Sequence, residues 1–204
     1  MNILALIAFL LVAGAVAWVS EKANPNAPRW VGLLAFVVAG VWLGSSWLGG
    51  GAYANQYIEW IPRFGVNVVL AMDGLSLMLV GLTLFLGAVA VVSSWSEIDR
   101  GRGFFQFNIL WVMAGVVGVF TALDLFLFFF FWEVMLIPMY FLIAIWGHEA
   151  KAYAAMKFFL FTQISGLLML LAILALVYFN YAESGVITFN YHDLLEADLP
   201  ADVA

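Results

Sequence analysis

Five stretches of this chain run for about 20 residues or longer without an internal charged side chain, enough for a helix to cross a hydrocarbon core of about 30 Å. They are 1–20, 30–58, 74–96, 103–123 and 158–183, the last closing on Glu183. A sixth, 125–147, carries one acidic residue, Glu133, and no other charge. In lipid every backbone N–H and C=O of such a segment needs an internal partner, and a helix supplies one. Composition points the same way. Of 204 residues, 66% are hydrophobic and 10% charged, against about half and about a quarter in soluble domains. A single core in a chain this size cannot hide so much apolar surface. A soluble globular fold is excluded.

The expectation is an all-α integral membrane protein with six transmembrane helices, at about 1–20, 30–48, 74–95, 104–122, 124–146 and 152–179. These form a bundle over 1–179, followed by an acidic tail over 180–204. Pro25, Pro28, Pro62 and Pro200 fall in connections or the tail, and Pro138 alone lies inside a span. Trp18, Trp30, Trp47, Trp60, Trp95 and Trp146 sit near span ends, as in an interfacial belt. The first span has no basic residue before Lys22, unlike a secretory signal, and reads as a retained helix. Connections after helices one, three and five hold Lys22, Arg29, Arg100, Arg102 and Lys151, whereas those after two and four hold only Arg63. The positive-inside rule puts the first set in the cytoplasm and the N-terminus and tail in the periplasm.

Before helix three, the β-prone runs Ile58–Ile61 and Val66–Val69 flank Pro62-Arg63-Phe64-Gly65, and predict a short extramembrane hairpin. Asp73 then reads as the N-cap of helix three. Gly40-x-x-x-Gly44 fits close contact between helices.

The chain has no cysteine, which excludes thiolate ligation of iron–sulfur clusters or zinc. His148 and His192, its two histidines, lie outside the spans, so bis-histidine haem ligation within the membrane is excluded too. A net charge of −6 argues against nucleic-acid binding. No cofactor or metal is expected in this chain, and any coupled redox chemistry belongs to another subunit.

Glu133 lies eight residues into its span, roughly 12 Å at 1.5 Å per residue. A carboxylate there is costly unless paired or hydrated. Buried alone, a carboxyl group favours its neutral form, and a nearby cation favours the charged one. A group balanced between the two can load and release a proton. Pro138 withdraws the helical donor from the Val134 carbonyl, freeing an acceptor beside Glu133. The plainer role for Glu133 is a hydrogen bond that fixes helix packing.

Lys157, six residues past Lys151 and so roughly 9 Å into the last span, is a candidate partner or relay. Its plainer role is to snorkel to the interface. Asp124 reads as a cap at the start of helix five. His148 and Glu149 read as solvated turn residues, Thr162, Gln163 and Ser165 as packing or a hydrated path, and Phe128–Phe131 as apolar bulk.

The segment Phe128-Phe-Phe-Phe-Trp132-Glu133-Val-Met-Leu-Ile-Pro138-Met-Tyr-Phe-Leu-Ile-Ala-Ile-Trp-Gly147-His148 closely resembles helix five of the M-type antiporter-like subunits of bacterial NADH:quinone oxidoreductase, respiratory complex I. Ile61-Pro-Arg-Phe-Gly65, Asp73-Gly-Leu-Ser76 and Lys157-Phe-Phe-Leu-Phe-Thr-Gln163 resemble that family in the same order. The resemblance implies a fold of about fourteen helices with inverted repeats, common in transporters. It makes Glu133 the family's protonatable helix-five carboxylate and Lys157 its helix-six Lys, with a secondary role. It implies FMN, iron–sulfur clusters and quinone in partner subunits, and none in this chain. It also implies a multi-pass protein of the bacterial inner membrane, with other membrane and peripheral subunits, lipid and protons as partners. Ala204 falls before the family's broken seventh helix, so the sequence is expected to represent the N-terminal portion of such a subunit.

The expected function is proton translocation coupled to quinone reduction, in a non-redox subunit of a translocase. The alternatives are a subunit of a cation/proton antiporter or membrane-bound hydrogenase, or a structural membrane module.

Overall fold

A computed structural model describes residues 2–48 and 54–195. Met1 of the expected first helix and 196–204 of the expected tail, including Pro200, lie outside the described residues. Six long helices are present: α1 (Ile3–Ser20), α2 (Ala27–Leu48), α3 (Gly74–Ser93), α4 (Arg102–Thr121), α5 (Leu125–Trp146) and α6 (Lys151–Ser184). Each is long and apolar enough to cross a membrane. A two-stranded sheet, β1 (Ala54–Ile61) with β2 (Val66–Met72), separates α2 from α3, and a short α7 (Tyr191–Leu195) follows α6.

Two boundaries differ from expectation. α2 begins at Ala27 rather than Trp30, because Pro28 fits a first helical turn, where its missing N–H is not needed. α6 runs to Ser184 rather than ending near 179. Asn180, Glu183 and Ser184 end the apolar run but not the hydrogen-bonded helix, which stops at Gly185 with φ +72°. Its 34 residues span about 51 Å at 1.5 Å each, so α6 outruns a hydrocarbon core of about 30 Å.

The predicted hairpin forms, in longer strands. β1 and β2 pair antiparallel from Ala54↔Met72 to Ile61↔Val66, with an irregularity between Glu59 and Ile61. The Pro62–Phe64 turn is a single 3-10 turn closed by Gly65 at φ +67°. A Cβ at Gly65 would strike the carbonyl of Ile187, so both conformation and space require glycine.

α4 is the hub, packing on α1, α5, α3 and α2, whereas α6 rests chiefly on α5. Leu6 and Leu10 of α1, Phe36 of α2, Val80 of α3 and Leu110, Ala114 and Val117 of α4 form the core. Small residues let the helices close. Gly118 of α4 seats the Phe131 ring so tightly that a Cβ would overlap it. Gly40 and Gly44 do not act this way, contrary to expectation. No atom of the described residues stands within 4 Å of a Cβ built at either, while Leu43, between them, packs on Gly81 of α3.

The turn into α5 is fastened on both sides. Leu123 N–H donates to the Val69 carbonyl at 2.9 Å, Leu125 N–H to that of Phe189 at 2.8 Å, and Tyr191 N–H to that of Leu123 at 2.8 Å. β2, this turn and 189–191 thus form one patch, which fixes where α5 starts.

Candidate functional site

α5 presents two distinct faces. Phe131 and Met135 meet Gly115 and Gly118 of α4. Phe129 and Glu133 meet Gly166 of α6, and Tyr140, two turns further on, meets Phe159 at 5.8 Å between ring centroids. Successive residues turn by about 100°, so 129, 133 and 140 share one side and 131 and 135 the other. The apolar bulk of α5 therefore divides between two neighbours, and its one carboxyl group points at α6.

Glu133 Oε1 is shielded from solvent and accepts no hydrogen bond from any described residue. It lies over the α carbon of Gly166: a Cβ built there would collide with it, and would sit 3.4 Å from Glu133 Cδ and 3.9 Å from Phe129 Cε2. The ion pairs among the described residues are Arg29–Asp99 and Arg102–Asp99, both at the other end of the bundle from the hairpin.

Lys157 is not brought to Glu133. It is exposed on α6, with Nζ 5.7 Å from the Tyr153 ring centroid and 6.0 Å from that of Phe161. Nine residues separate it from Gly166, roughly 14 Å along the axis and half a turn around it. The buried stripe of α6, Ala155, Gly166, Ile173 and Val177, marks the face on α5, and Lys157 is on the reverse.

The remaining polar candidates divide by geometry. Thr162 shares the Gly166 side one turn away, and its hydroxyl donates to the Phe158 carbonyl at 2.7 Å. Gln163 is half-buried, and Ser165, His148 and Glu149 are exposed. Asp73 caps α3 as expected, accepting from Ser76 N–H at 2.7 Å, and that donor holds its carboxyl below the usual range. Asp124 does more than cap α5. Fully buried, it accepts from Phe126 and Leu127 N–H at 2.9 and 3.0 Å, and from Asn67 N–H of β2 at 3.0 Å. Burial pushes its carboxyl up, against these three donors that pull it down.

Three features escaped the sequence reading. Gly166 reads as one glycine among 18. Glu21 accepts from Arg102 and Gly103 N–H, both at 3.0 Å, capping α4 from the far end of α1; α4's own cap residue, Gly101, has no side chain for the task. Gln106 and Asn108 of α4 are buried, each with a side-chain oxygen lacking a partner among the described residues. Their polarity within a span was a readable signal. Among the described residues, no group of three or more His, Cys, Asp or Glu is placed to hold a metal ion.

Comparison with known proteins reaches nearly the whole chain. Residues 122–198, containing α5, α6 and Glu133, match the family described as "NADH:quinone oxidoreductase/Mrp antiporter, TM". NADH-quinone oxidoreductase subunit M of Escherichia coli (strain K12) is 47% identical over 217 residues, an alignment covering 97% of this chain and 42% of that protein. A chain of respiratory complex I from Thermus thermophilus with bound NADH superposes with a TM-score of 0.77 at 26% identity, over 98% of this chain and 40% of its own. A chain of the Mrp complex from Dietzia sp. DQ12-45-1b superposes with a TM-score of 0.79 at 20% identity, over 96% of this chain and 21% of its own. That last likeness is one of fold.

Proposed function

The chain belongs to the NADH-quinone oxidoreductase subunit M family, whose curated members it spans for about two fifths of their length, 42% in the Escherichia coli case, and from this we propose that it serves proton translocation in a complex I-type membrane assembly, with Glu133 as the relay carboxyl. The carrying observation is the Oε1 of Glu133 at the α5–α6 contact, shielded from solvent and without a hydrogen-bond partner among the described residues, inside the segment that matches the family. Intramembrane carboxyl groups are expensive to keep, and their usual return is function.

The chemistry is proton transfer alone. A side-chain carboxyl accepts a proton on one oxygen and gives it up when a cation or water chain is brought near. NADH oxidation and quinone reduction take place in partner subunits, on FMN, iron–sulfur clusters and quinone. Their energy reaches this chain as a change in charge or helix position that alters the proton affinity of Glu133. Pro138 keeps the Val134 carbonyl free of its helical donor, next to Glu133 in sequence. Lys157, on the opposite face of α6, acts as a secondary relay toward the cytoplasm and not as the direct ion-pair partner. The connections bearing Lys22, Arg29, Arg100, Arg102 and Lys151 face the cytoplasm of a bacterial inner membrane, and the hairpin and N-terminus face the periplasm.

Glu133→Gln keeps shape and removes the proton site. In the assembled complex with the full-length subunit, it should impair proton pumping and coupled quinone reduction while the complex still assembles. Full pumping with Glu133→Gln overturns the proposal.

A further inference from the structure

Resting on that reading of Glu133, we infer that Gly166 is a positioning residue for the relay carboxyl: its bare α carbon is the seat against which Glu133 Oε1 is placed. The seat is specific to this side chain. Of the neighbours of a Cβ built at Gly166, Glu133 Oε1 alone is in collision, Glu133 Cδ at 3.4 Å is at the edge of ordinary contact, and Phe129 Cε2 at 3.9 Å is comfortable. An added methyl would therefore displace the carboxyl group and little else.

The need for such a seat follows from the surroundings. Glu133 Oε1 has no hydrogen-bond donor among the described residues to hold it in place. The Thr162 hydroxyl, one turn along α6, is committed to the Phe158 carbonyl. Lys157 lies half a turn away around α6. Among the described residues, what fixes the carboxyl at the α5–α6 contact is shape, and shape there means the absence of a side chain at 166. Gly166 is buried within α6, where glycine costs about 1 kcal/mol relative to alanine, so the cost is met by what the space admits.

The test uses the assembled complex with the full-length subunit. Gly166→Ala should lower pumping at least about tenfold, since displacing a reacting group by an ångström costs that much or more. Glu133→Asp withdraws the carboxyl by one methylene. It lowers pumping by itself for the same reason, but in that background Gly166→Ala should cost far less than in the parent, because the shorter side chain no longer reaches the added methyl. A change in helix packing that does not involve the carboxyl costs the same in both backgrounds. If Gly166→Ala prevents assembly, Gly166→Ala with Glu133→Ala should assemble as well as Glu133→Ala alone, because the clash is removed with the side chain.

Normal pumping by Gly166→Ala overturns the seat. So does a cost of Gly166→Ala that is undiminished in the Glu133→Asp background for pumping and in the Glu133→Ala background for assembly. Glu133→Gln, run alongside, separates the two readings. If it abolishes pumping while Gly166→Ala is silent, the seat fails and the relay stands. If it pumps normally, the relay itself fails.

Discussion

Removing the Asp124 carboxylate should loosen the bundle at the hairpin end by an amount its hydrogen bonds allow to be set in advance. The side chain is fully buried and accepts three backbone N–H groups, at 2.9 Å from Phe126, 3.0 Å from Leu127 and 3.0 Å from Asn67. Losing the first two removes a helix N-cap, worth about 1 kcal/mol. Losing the third strands a donor that ties β2 to α5, worth about 1–3 kcal/mol when buried. Asp124→Ala should therefore destabilise by about 2–4 kcal/mol. Asp124→Asn should cost about half of that, since its oxygen can keep the cap but its NH₂ then meets the Asn67 donor. Thermal or denaturant unfolding of the detergent-solubilised protein, with both variants beside the parent, measures the series. Equal stability of all three, or Asn worse than Ala, would refute the hydrogen-bond assignment.

Three other outcomes follow from the same geometry. Glu21→Ala should destabilise by about 1 kcal/mol through loss of the cap on α4, with Glu21→Gln intermediate, read by the same unfolding assay. Asp73 has its carboxyl held below the usual range by Ser76 N–H. Its contribution is therefore present above the ordinary carboxylate pKa and lost as pH falls through the lowered value. Asp73→Asn should remove that acid-side loss from a stability–pH profile, and an unchanged profile would count against the cap. Lys157→Ala should reduce pumping less than Glu133→Gln and leave unfolding unchanged, because Lys157 is exposed and its ammonium lies near the Tyr153 and Phe161 rings of its own helix.

Much of the architecture is legible in the sequence because lipid leaves the backbone few options. Charge-free runs of about 20 residues have one solution, and the helices follow them. Caps are legible for the same local reason: Asp73 and Asp124 act within three residues of themselves. Glu133 is legible as the charge that breaks the rule. Its surroundings are not, because hydropathy says that α5 is apolar all round and nothing about which side meets α4 or α6. Phe131 and Glu133 read alike as residues of one span, yet they face different helices. Contacts between distant residues, such as Glu21 with the start of α4 across 81 positions, leave no local mark. α6 misleads in a further way. Its apolar run stops at polar residues while its hydrogen bonding continues to Ser184, because desolvation ends where the membrane ends and helix propagation does not. The place of Lys157 was readable in part. Once Gly166 is known to face α5, the nine-residue interval puts Lys157 on the other side.

The most direct test is whether the Glu133 carboxyl changes its protonation during turnover. Infrared difference spectroscopy of the full complex, recorded between resting and NADH-driven states, reads the carboxylic C=O stretch. A relay carboxyl at Glu133 gives a difference band in that region that is absent from the Glu133→Gln variant. A spectrum in which Glu133→Gln leaves every carboxylic band in place would contradict it.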